Sequence, residues 1–426
     1  MSAPAHAVVS DEQRHVTLTS WKAPVIFGVF TVLFALLPLI GPREGDSTFR
    51  LVRSAAAAIQ LPDLVLPSNA TAWVCVVLMA ASTVLAVVFT KAHRPMPLWL
   101  IAAYVAFLLV GFLSWASAGG TLPMIGLLGG ALALATPLVF GALSGVIGER
   151  AGVINIAIEA QLLSGAFTGA MVGSVTKSPW AGLVGAILAG LLVGLVLAVF
   201  AITYFVSQII VGVVLNVLVI GLTTFFFSTV MSDNPDLLNS PEVFPTIPIP
   251  LLSEIPVLGP VLFRQTIITY LMYVVVFAVS YGLYRTRWGL RLRAVGEHPQ
   301  AADTVGIKVR ATRYRAVMLG GAIAGMGGAF YTLVSNPQFG REMTAGAGFI
   351  ALAAMIFGKW DPIRAALAAL LFGFATNLQG VLSVIGSPVP SQFMLMLPYV
   401  VTLFAVAGLV GRSRPPAANG QPYIKS

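Results

Sequence analysis

The sequence predicts an all-α polytopic membrane helix bundle, on the strength of its composition, its long apolar runs and the uneven placement of its basic residues. Only 9% of the 426 residues are charged, 58% are hydrophobic, and the mean hydropathy is +0.93. A soluble chain carries about 25% charged residues and uses them to cover its surface. Most of this surface must therefore face lipid, which excludes a cytosolic enzyme, a secreted disulfide scaffold and a disordered regulator.

The apolar runs supply the spans. Because a helix needs about 20 mostly apolar residues to cross a bilayer, we expect about 12 spans (10–12). The runs are continuous rather than alternating, which argues against transmembrane strands. The run 346-358 is short enough to be a half-helix or a re-entrant piece. The twelve candidate runs lie at 24-41, 71-90, 97-117, 122-147, 154-174, 179-202, 207-230, 265-284, 316-334, 346-358, 363-385 and 391-410.

The basic residues set the orientation. If the N-terminus is cytoplasmic and every run spans, 18 of the 24 Lys and Arg residues lie inside and 6 outside, as the positive-inside rule requires. Both termini are then cytoplasmic. Three of the outside charges share the loop 42-70, which is the weakest point of this arrangement. The sequence pI of about 9.9 thus reports topology, and we expect no nucleic-acid partner because aromatic residues hardly interleave with the basic ones.

The chain divides by composition into three parts. Residues 1-121 form an N-terminal extension with three predicted spans and few polar groups in the membrane. Residues 122-411 hold nine spans, and residues 412-426 form a cytoplasmic tail. The exterior segment 231-264 is rich in proline and cannot be helical throughout, so it is interpreted as a loop that links two halves of a bundle.

A weak internal repeat relates those halves, since Asn155–Gly165 can be laid over Gly348–Gly358. Repeated halves with interrupted helices are common in transporters, and the interruptions point to the pathway. Chance similarity between apolar, glycine-rich segments is the alternative. Separately, Gly165, Gly169 and Gly173 recur every four residues, which predicts close helix packing.

Polar residues inside the predicted spans are the candidate pathway. Glu159 is costly in a bilayer, and Asn155 lies four residues before it on the same helix face. This face indicates either a lumen or an interhelical hydrogen-bond network. In the structural alternative, Glu149 and Arg150 pair at the junction and Glu159 bonds a neighbouring helix. Further candidates, each of which could instead join helices, are Gln208, Asn216 and Asn377.

Several kinds of active site are missing from the sequence. Cys75 is the only cysteine, so neither an internal disulfide nor a cysteine metal cluster is possible, and we expect no metal site. No G-x-x-x-x-G-K-[ST] phosphate loop, H-E-x-x-H motif or G-x-S-x-G elbow occurs. We therefore expect a protein that is not an enzyme and binds no cofactor.

The predicted cytoplasmic segment 285-315 carries eight of the 24 basic residues. These charges could merely fix topology. A short helix from about 299 to 305 would also fit, with Pro299 in its first turn and Gly306 just past its end. Such a helix on the cytoplasmic face is a natural docking element for a soluble partner.

Four stretches resemble the permease subunits of bacterial ABC importers, in the nucleoside and simple-sugar branch of the branched-chain-amino-acid-type permease family. The resemblance covers about 122-411. The extension 1-121 lies outside the family pattern, and Ala160 stands where family members usually have Gly. The four stretches are Gly141–Phe167, Arg287–Ile307, Gly320–Ala329 and Phe349–Pro362.

The second stretch is similar to that family's cytoplasmic coupling loop, which includes Glu297. Within it, Gln300, Ala301, Ala302 and Gly306 match the pattern Glu-Ala-Ala-x-x-x-Gly, with Gln in place of Glu. The resemblance implies that the segment 296-306 transmits the closure of an ATPase to the spans, so that the path opens alternately to each side.

The resemblance also implies the partner proteins and the cellular location. The chain would sit in a bacterial cell membrane, among lipids, with a cytoplasmic ABC ATPase, a second permease subunit that is a different chain, and an exterior substrate-binding lipoprotein. ATP and Mg would be used by the ATPase. The leading function is a nucleoside permease. The alternatives are a ribose- or galactose-type sugar permease, an ion-coupled secondary transporter that uses Glu159, and a membrane scaffold that transports nothing.

Overall fold

A computed structural model gives the fold of residues 21–52, 61–386, 390, 392–393, 396 and 414–425. The predicted run 391-410 and the first 20 residues lie almost entirely outside these described residues. The prediction of an all-α polytopic bundle is confirmed. In chain order the elements are α1 (Lys22–Ile40), β1 (Asp46–Arg50), β2 (Leu64–Pro67), α2 (Ser68–Lys91), α3 (Leu98–Ala116), β3 (Thr121–Pro123), α4 (Met124–Arg150), α5 (Ile158–Thr176), α6 (Pro179–Ala198), α7 (Gln208–Phe226), α8 (Pro235–Leu238), β4 (Thr246–Pro248), α9 (Leu258–Leu262), β5 (Arg264–Thr266), α10 (Ile267–Arg285), α11 (Arg287–Glu297), α12 (Pro299–Thr304), α13 (Val309–Phe330), α14 (Ala347–Phe357) and α15 (Pro362–Ile385).

Nine helices of the described residues are long and apolar enough to cross a membrane: α1, α2, α3, α4, α6, α7, α10, α13 and α15. Three of them, α6, α7 and α13, end in a π-helical turn that extends them by five residues. Helix α5 also has 19 residues, but Glu159 and Gln161 lower its hydropathy. Helix α14 has 11 residues and is about 16 Å long. It therefore covers only half of a hydrocarbon core of about 30 Å.

Two of the predicted runs begin at the wrong residue. The run 154-174 was expected to start as helix at 154, yet α5 begins at Ile158 because the preceding residues are held in a non-helical segment. The run 316-334 was expected to start at 316, yet α13 begins at Val309. Its first two turns carry three arginines, so a search for apolar residues misses a helix that extends beyond the apolar region.

The chain separates into two compact units, one comprising Met1–Thr48 and Val65–Thr121, the other Phe49–Leu64 and Leu122–Ser426. In the first unit, the rings of Phe27 and Tyr104 stack with centroids 3.9 Å apart. The Tyr104 hydroxyl also donates to the Phe27 carbonyl oxygen at 2.7 Å. These contacts fasten α1 to α3.

The three strands β1 to β3 form a small sheet in the order β2-β1-β3.

The second unit is built around α4 and α13, which are the most buried of its spans. Helix α13 packs against α4, α5 and α6 through glycines. A Cβ atom added to Gly165 would lie 2.5 Å from the Gly325 carbonyl oxygen, and one added to Gly190 would collide with the Gly321 carbonyl oxygen. The helix axes can approach this closely only because no side chain lies between them, and dispersion contact then holds them together.

The segment 231-264 contains only short elements, as its prolines predict. Strands β4 and β5 pair antiparallel, with Ile247 opposite Gln265, and the helices α8 and α9 have four and five residues. The segment is fastened to the bundle at two points. Ser240 N–H donates to Ser174 Oγ at 2.9 Å, and Asn239 Nδ2 donates to the Phe339 carbonyl oxygen at 3.0 Å.

The loops of the second unit gather at two opposite ends. At one end, called the basic end here, lie residues 149–152, 285–315, 359–364 and 414–425. Arg150 Nε donates to the Trp360 carbonyl oxygen at 3.0 Å, and Ala418 N–H donates to the Gly296 carbonyl oxygen at 2.9 Å. All of these segments were predicted to be cytoplasmic, and their contacts agree with one shared side.

Candidate translocation and coupling sites

Helix α4 ends just before Gly152, at a position whose backbone conformation favours glycine. Gly152 has φ +85°, a left-handed conformation that suits glycine. Val153 N–H donates to the Gly148 carbonyl oxygen at 3.0 Å, and Gly152 N–H donates to the Glu149 carbonyl oxygen at 2.9 Å. This pair of bonds is the Schellman helix end, and it releases the chain into the non-helical segment 152–157.

The segment 152–157 is mostly buried although its backbone is not helical. Such a backbone is tolerated in a membrane protein only where the protein satisfies its polar groups. Helix α7 provides that support. Gln208 Oε1 accepts from Ile154 N–H at 2.7 Å, and Asn216 accepts from Ala160 N–H and donates to the Ile156 carbonyl oxygen, both at 3.0 Å.

A closed polar network lies beside this segment. Asn155 Nδ2 donates to Ser144 Oγ at 3.0 Å and to Gln161 Oε1 at 3.1 Å, while Ser144 Oγ donates to Gln161 Oε1 at 3.0 Å. All three side chains are at most 1% exposed. A buried polar network of this kind fixes one arrangement of its elements, because every unpaired member would be costly.

Glu159 holds the start of α14. Its Oε1 accepts from Thr344 Oγ1 at 2.6 Å and from Gly346 N–H at 2.9 Å, and its Oε2 accepts from Gly348 N–H at 2.6 Å. The first N–H groups of a helix have no partner within the helix and carry a partial positive charge. A carboxylate is therefore the stabilising group at this position, and α14 can begin there without water.

This contact lies inside the bundle rather than at its surface. A Cβ added to Gly141 would lie 2.8 Å from Ala351 Cβ, so Ala351 is level with Gly141. Gly141 is nine residues before Arg150, or about 14 Å along α4. A Cβ on Gly141 would also lie 3.0 Å from Ile158 Cγ2, so the start of α5 and the second turn of α14 lie about 14 Å along α4 from Arg150, which is about half the thickness of a hydrocarbon core of about 30 Å.

Asn377 lies elsewhere. Its Nδ2 donates to the Leu127 carbonyl oxygen at 2.7 Å, which fastens α15 to the first turns of α4. A Cβ on Gly130 would lie 2.6 Å from the Asn377 amide, so glycine is needed beside it. Among the predicted pathway residues, Asn155, Glu159, Gln208 and Asn216 therefore come together around the segment 152–157, and Asn377 does not.

Sequence reasoning missed the partners of these residues. Ser144, Gln161 and Thr344 complete the networks, and Trp360 completes the end of α4. Glu149 was considered as the ion-pair partner of Arg150, but its Oε2 accepts from Trp360 Nε1 at 2.6 Å. Gln161 could have been found, since it is a second polar residue in the first turn of α5.

The segment 296–306, called the coupling segment here, has the predicted form. Helix α12 begins at Pro299, and Gly306 follows its end with φ +84°, which confirms the helix expected at about 299 to 305. Ala302 is only 3% exposed, in a small core with Val295 and Val309. Gln300 and Ala301 face outward, while Glu297 Oε2 accepts from Ala417 N–H at 3.1 Å.

A groove of about 600 Å³ runs beside α12, between α11 and α13. Three of its lining residues are basic, namely Arg291, Lys308 and Arg315, and none is acidic. The basic end therefore presents a positively charged recess next to the exposed face of α12, which would suit an acidic surface on a partner.

Comparison with known proteins adds the family. The model of the family described as "Branched-chain amino acid transport system / permease component" matches residues 127–406. The chain is 40% identical over 307 residues to the guanosine ABC transporter permease protein NupQ of Bacillus subtilis, which covers 69% of this chain and 95% of NupQ. It is also 40% identical over 310 residues to the nucleoside ABC transporter permease protein NupC of Lactococcus lactis, with the same coverage.

A third relative is named for another substrate. The putative glucose ABC transporter permease protein TsgC13 of Haloferax volcanii is 35% identical over 310 residues, which covers 68% of this chain and 92% of that protein. No solved structure matches the chain. The family and the apolar helices make this a multi-pass protein of the bacterial plasma membrane, a transport component rather than an enzyme.

These matches agree with the resemblance drawn from the four stretches, and they cover the part of the chain that holds α4 to α15. The chain belongs to the permease components of the branched-chain amino acid transport system family, and it is a permease subunit within an ABC transporter.

Proposed function

We propose that the chain forms the translocation path of an ATP-driven importer for nucleosides. The observation that carries this proposal is the 40% identity, over nearly the whole of each relative, to two permeases named for guanosine and nucleosides. The interrupted helices are the structural feature that supports the same function. In transporters, interrupted helices near the bilayer midplane form substrate sites, and here the start of the short helix α14 meets the start of α5 through Glu159.

The path itself is proposed to run along the segment 152–157 and the first turns of α5 and α14. Gln208 and Asn216 fix the backbone of this segment. Asn155 anchors the segment to α4 and α5 through Ser144 and Gln161. Both carboxylate oxygens of Glu159 already accept hydrogen bonds from the start of α14. This engagement argues against the ion-coupled alternative, which needs Glu159 as a proton or cation site.

An uptake experiment with competing substrates tests the proposal. The complete complex is placed in proteoliposomes, and ATP-dependent accumulation of labelled guanosine is measured with an excess of unlabelled nucleoside, ribose, galactose or glucose. We expect nucleosides to compete and the sugars to leave uptake unchanged. Competition by sugars alone would favour the second candidate, a sugar permease, which the 35% identity to TsgC13 supports.

The partners of the complex are part of the same proposal. A cytoplasmic ATPase, which uses ATP and Mg, would dock at the basic end, and an exterior substrate-binding lipoprotein would dock at the opposite end. The second permease would be a different chain. This chain would bind no cofactor of its own, because its task is to present α12 to the ATPase and to move with it.

Helix α12 offers a sharp test of docking. Ala301 is exposed on α12, so Ala301→Trp changes the outward face without entering the core. We expect ATP hydrolysis by the complex to continue while uptake falls about tenfold, since a docking surface of small residues would be blocked. The matched control Ala301→Ser keeps a small side chain and should retain normal uptake, as measured by parallel ATPase and uptake assays.

Two further residues of the coupling segment should act through its shape. Ala302 is buried and Gly306 needs a left-handed backbone. A bulky residue at either position should therefore also separate ATP hydrolysis from uptake. Uptake that is unchanged in all of these variants, with normal amounts of complex, would contradict the docking role of α12.

A further inference from the structure

The segment Arg414–Lys425, called the clasp here, lies across the basic end and bonds to parts of the chain far from it in sequence. Its Ala418 N–H donates at 2.9 Å to the carbonyl oxygen of Gly296, which lies in the last turn of α11. Its Gly420 N–H donates to the Gly152 carbonyl oxygen at 3.2 Å. The clasp therefore joins the coupling segment to the residue where the segment 152–157 begins.

Side chains reinforce both connections. Asn419 Nδ2 donates to Glu149 Oε2 at 2.9 Å, at the end of α4. On the other side, Lys425 Nζ lies 3.9 Å from Asp303 Oδ2 of α12. The ring of Tyr423 is buried in the small core that contains Ala302. One short segment thus contacts α4, α11 and α12.

The clasp also covers a buried charge. Arg313 of α13 is 2% exposed, and its Nη1 donates to the Gln421 carbonyl oxygen at 2.8 Å. A charged group that is taken out of water needs such partners. A Cβ on Gly152 would lie 2.9 Å from Arg313 Nη2, so the guanidinium lies directly against the helix end that opens into the segment 152–157.

The clasp is pre-shaped to hold this position. Pro415, Pro416 and Pro422 restrict its backbone, and Gly420 adopts φ +77°. Asn419 N–H and Gln421 N–H donate to the carbonyl oxygens of Pro416 and Ala418, which folds the segment into turns. A segment that has few conformations to lose can dock at a small entropic cost.

We propose that the clasp is a transmission element, which carries displacement of the coupling segment to the segment 152–157 and so to the candidate path. The proposal rests on the function proposed above. Gly296 already touches α4 directly, since a Cβ there would collide with the Arg150 carbonyl oxygen. The clasp adds what that contact lacks, namely a connection from α12 itself, through Tyr423 and Lys425, to Gly152 and Glu149.

The decisive variant lacks residues 415–426. In the complete complex in proteoliposomes, we expect ATP hydrolysis to continue and the nucleoside imported per ATP hydrolysed to fall about tenfold, within the range of measured coupling energies. A segment that only stabilised the fold would change the amount of complex but leave uptake per ATP at the wild-type value. Hydrogen exchange of the 152–157 amides should respond to ATP in the wild type but not in the variant.

Point variants test the proposal if the protein that lacks residues 415–426 does not assemble into the complex. Asn419→Ala removes the bond to Glu149 and should lower uptake per ATP in part. Gln421→Ala is the matched control, because within the described part of the chain its side chain bonds only to the Ala417 carbonyl oxygen of the clasp, and it should behave as wild type. Equal uptake per ATP in Asn419→Ala, Gln421→Ala and the wild type would overturn the proposal.

A cross-link distinguishes a clasp from a release switch. Asp303→Cys and Lys425→Cys are combined with Cys75→Ala and joined by a short bifunctional thiol reagent. We expect the cross-linked complex to import at the uncross-linked rate, because the clasp transmits while it is docked. Loss of import on cross-linking would overturn the proposal and show that the segment must leave. A wild-type complex without ATP-driven uptake would instead contradict the proposed function. Hydrogen exchange of the 152–157 amides, compared with and without ATP in the wild type and in the variant that lacks residues 415–426, would still test the role of the clasp.

Discussion

Glu159→Gln is expected to lower uptake at least about tenfold and to destabilise the protein by about 1–3 kcal/mol. The carboxylate accepts three hydrogen bonds from the start of α14. A glutamine amide must direct its NH₂ group at one of the same donors, which leaves a buried N–H group unpaired. The N-terminus of α14 should then lose its fixed position at the meeting point with α5. Uptake per folded complex and the thermal unfolding temperature report the two effects.

The control for this variant is Thr344→Val, which removes one of the three bonds and preserves the charge and the two backbone contacts. It should produce a smaller loss of both uptake and stability. If Glu159→Gln lowers only the yield of folded protein, and each folded complex imports normally, then Glu159 is purely structural. Wild-type uptake together with wild-type stability would contradict the observed arrangement altogether.

Gly190→Ala is expected to prevent most of the chain from folding, although the change adds a single methyl group. The new Cβ would collide with the backbone of α13 at Gly321, so α6 and α13 would have to separate. Overpacking of a tight core commonly costs about 1–3 kcal/mol, and backbone atoms yield less readily than side chains. The yield of monodisperse protein and its unfolding temperature measure the effect.

The matched control is Gly221→Ala in α7, where, among the described residues, no atom outside the neighbouring backbone of α7 lies within 4 Å of the added Cβ. Alanine is the better helix former by about 1 kcal/mol, so this variant should fold as well as the wild type or better. Equal yields for Gly190→Ala and Gly221→Ala would contradict the close approach of α6 and α13.

Most spans could be predicted because lipid imposes one strong constraint, a continuous apolar length. Apolar length does not predict where a helix begins when capping, hydrogen bonds or a polar extension determine its first residue. Helix α13 starts at Val309 among arginines because the helix continues out of the apolar region. Helix α5 starts at Ile158 because Gly152 and the amides of α7 stabilise a non-helical segment that the apolar pattern treats as helix.

The candidate site was predictable as a set of residue types and not as a set of contacts. Glu159, Asn155, Gln208 and Asn216 stand out because polar residues are rare in spans. Their partners do not, because Thr344 lies 185 residues from Glu159 in the sequence. The clasp was expected only as part of a cytoplasmic tail, residues 412-426. Its bonds to Gly152 and Gly296 depend on a fold that brings these separate glycines to one end of the bundle.

The most direct test of the account is uptake driven from the basic end. Proteoliposomes that contain the complete proposed complex, namely this chain, its partner permease, the ATPase and the substrate-binding lipoprotein, should accumulate labelled nucleoside when the ATPase is supplied with ATP and Mg. Accumulation should stop when an ATPase variant that binds but cannot hydrolyse ATP replaces the native one. Accumulation by this chain alone, driven by an ion gradient and indifferent to the ATPase, would contradict the account.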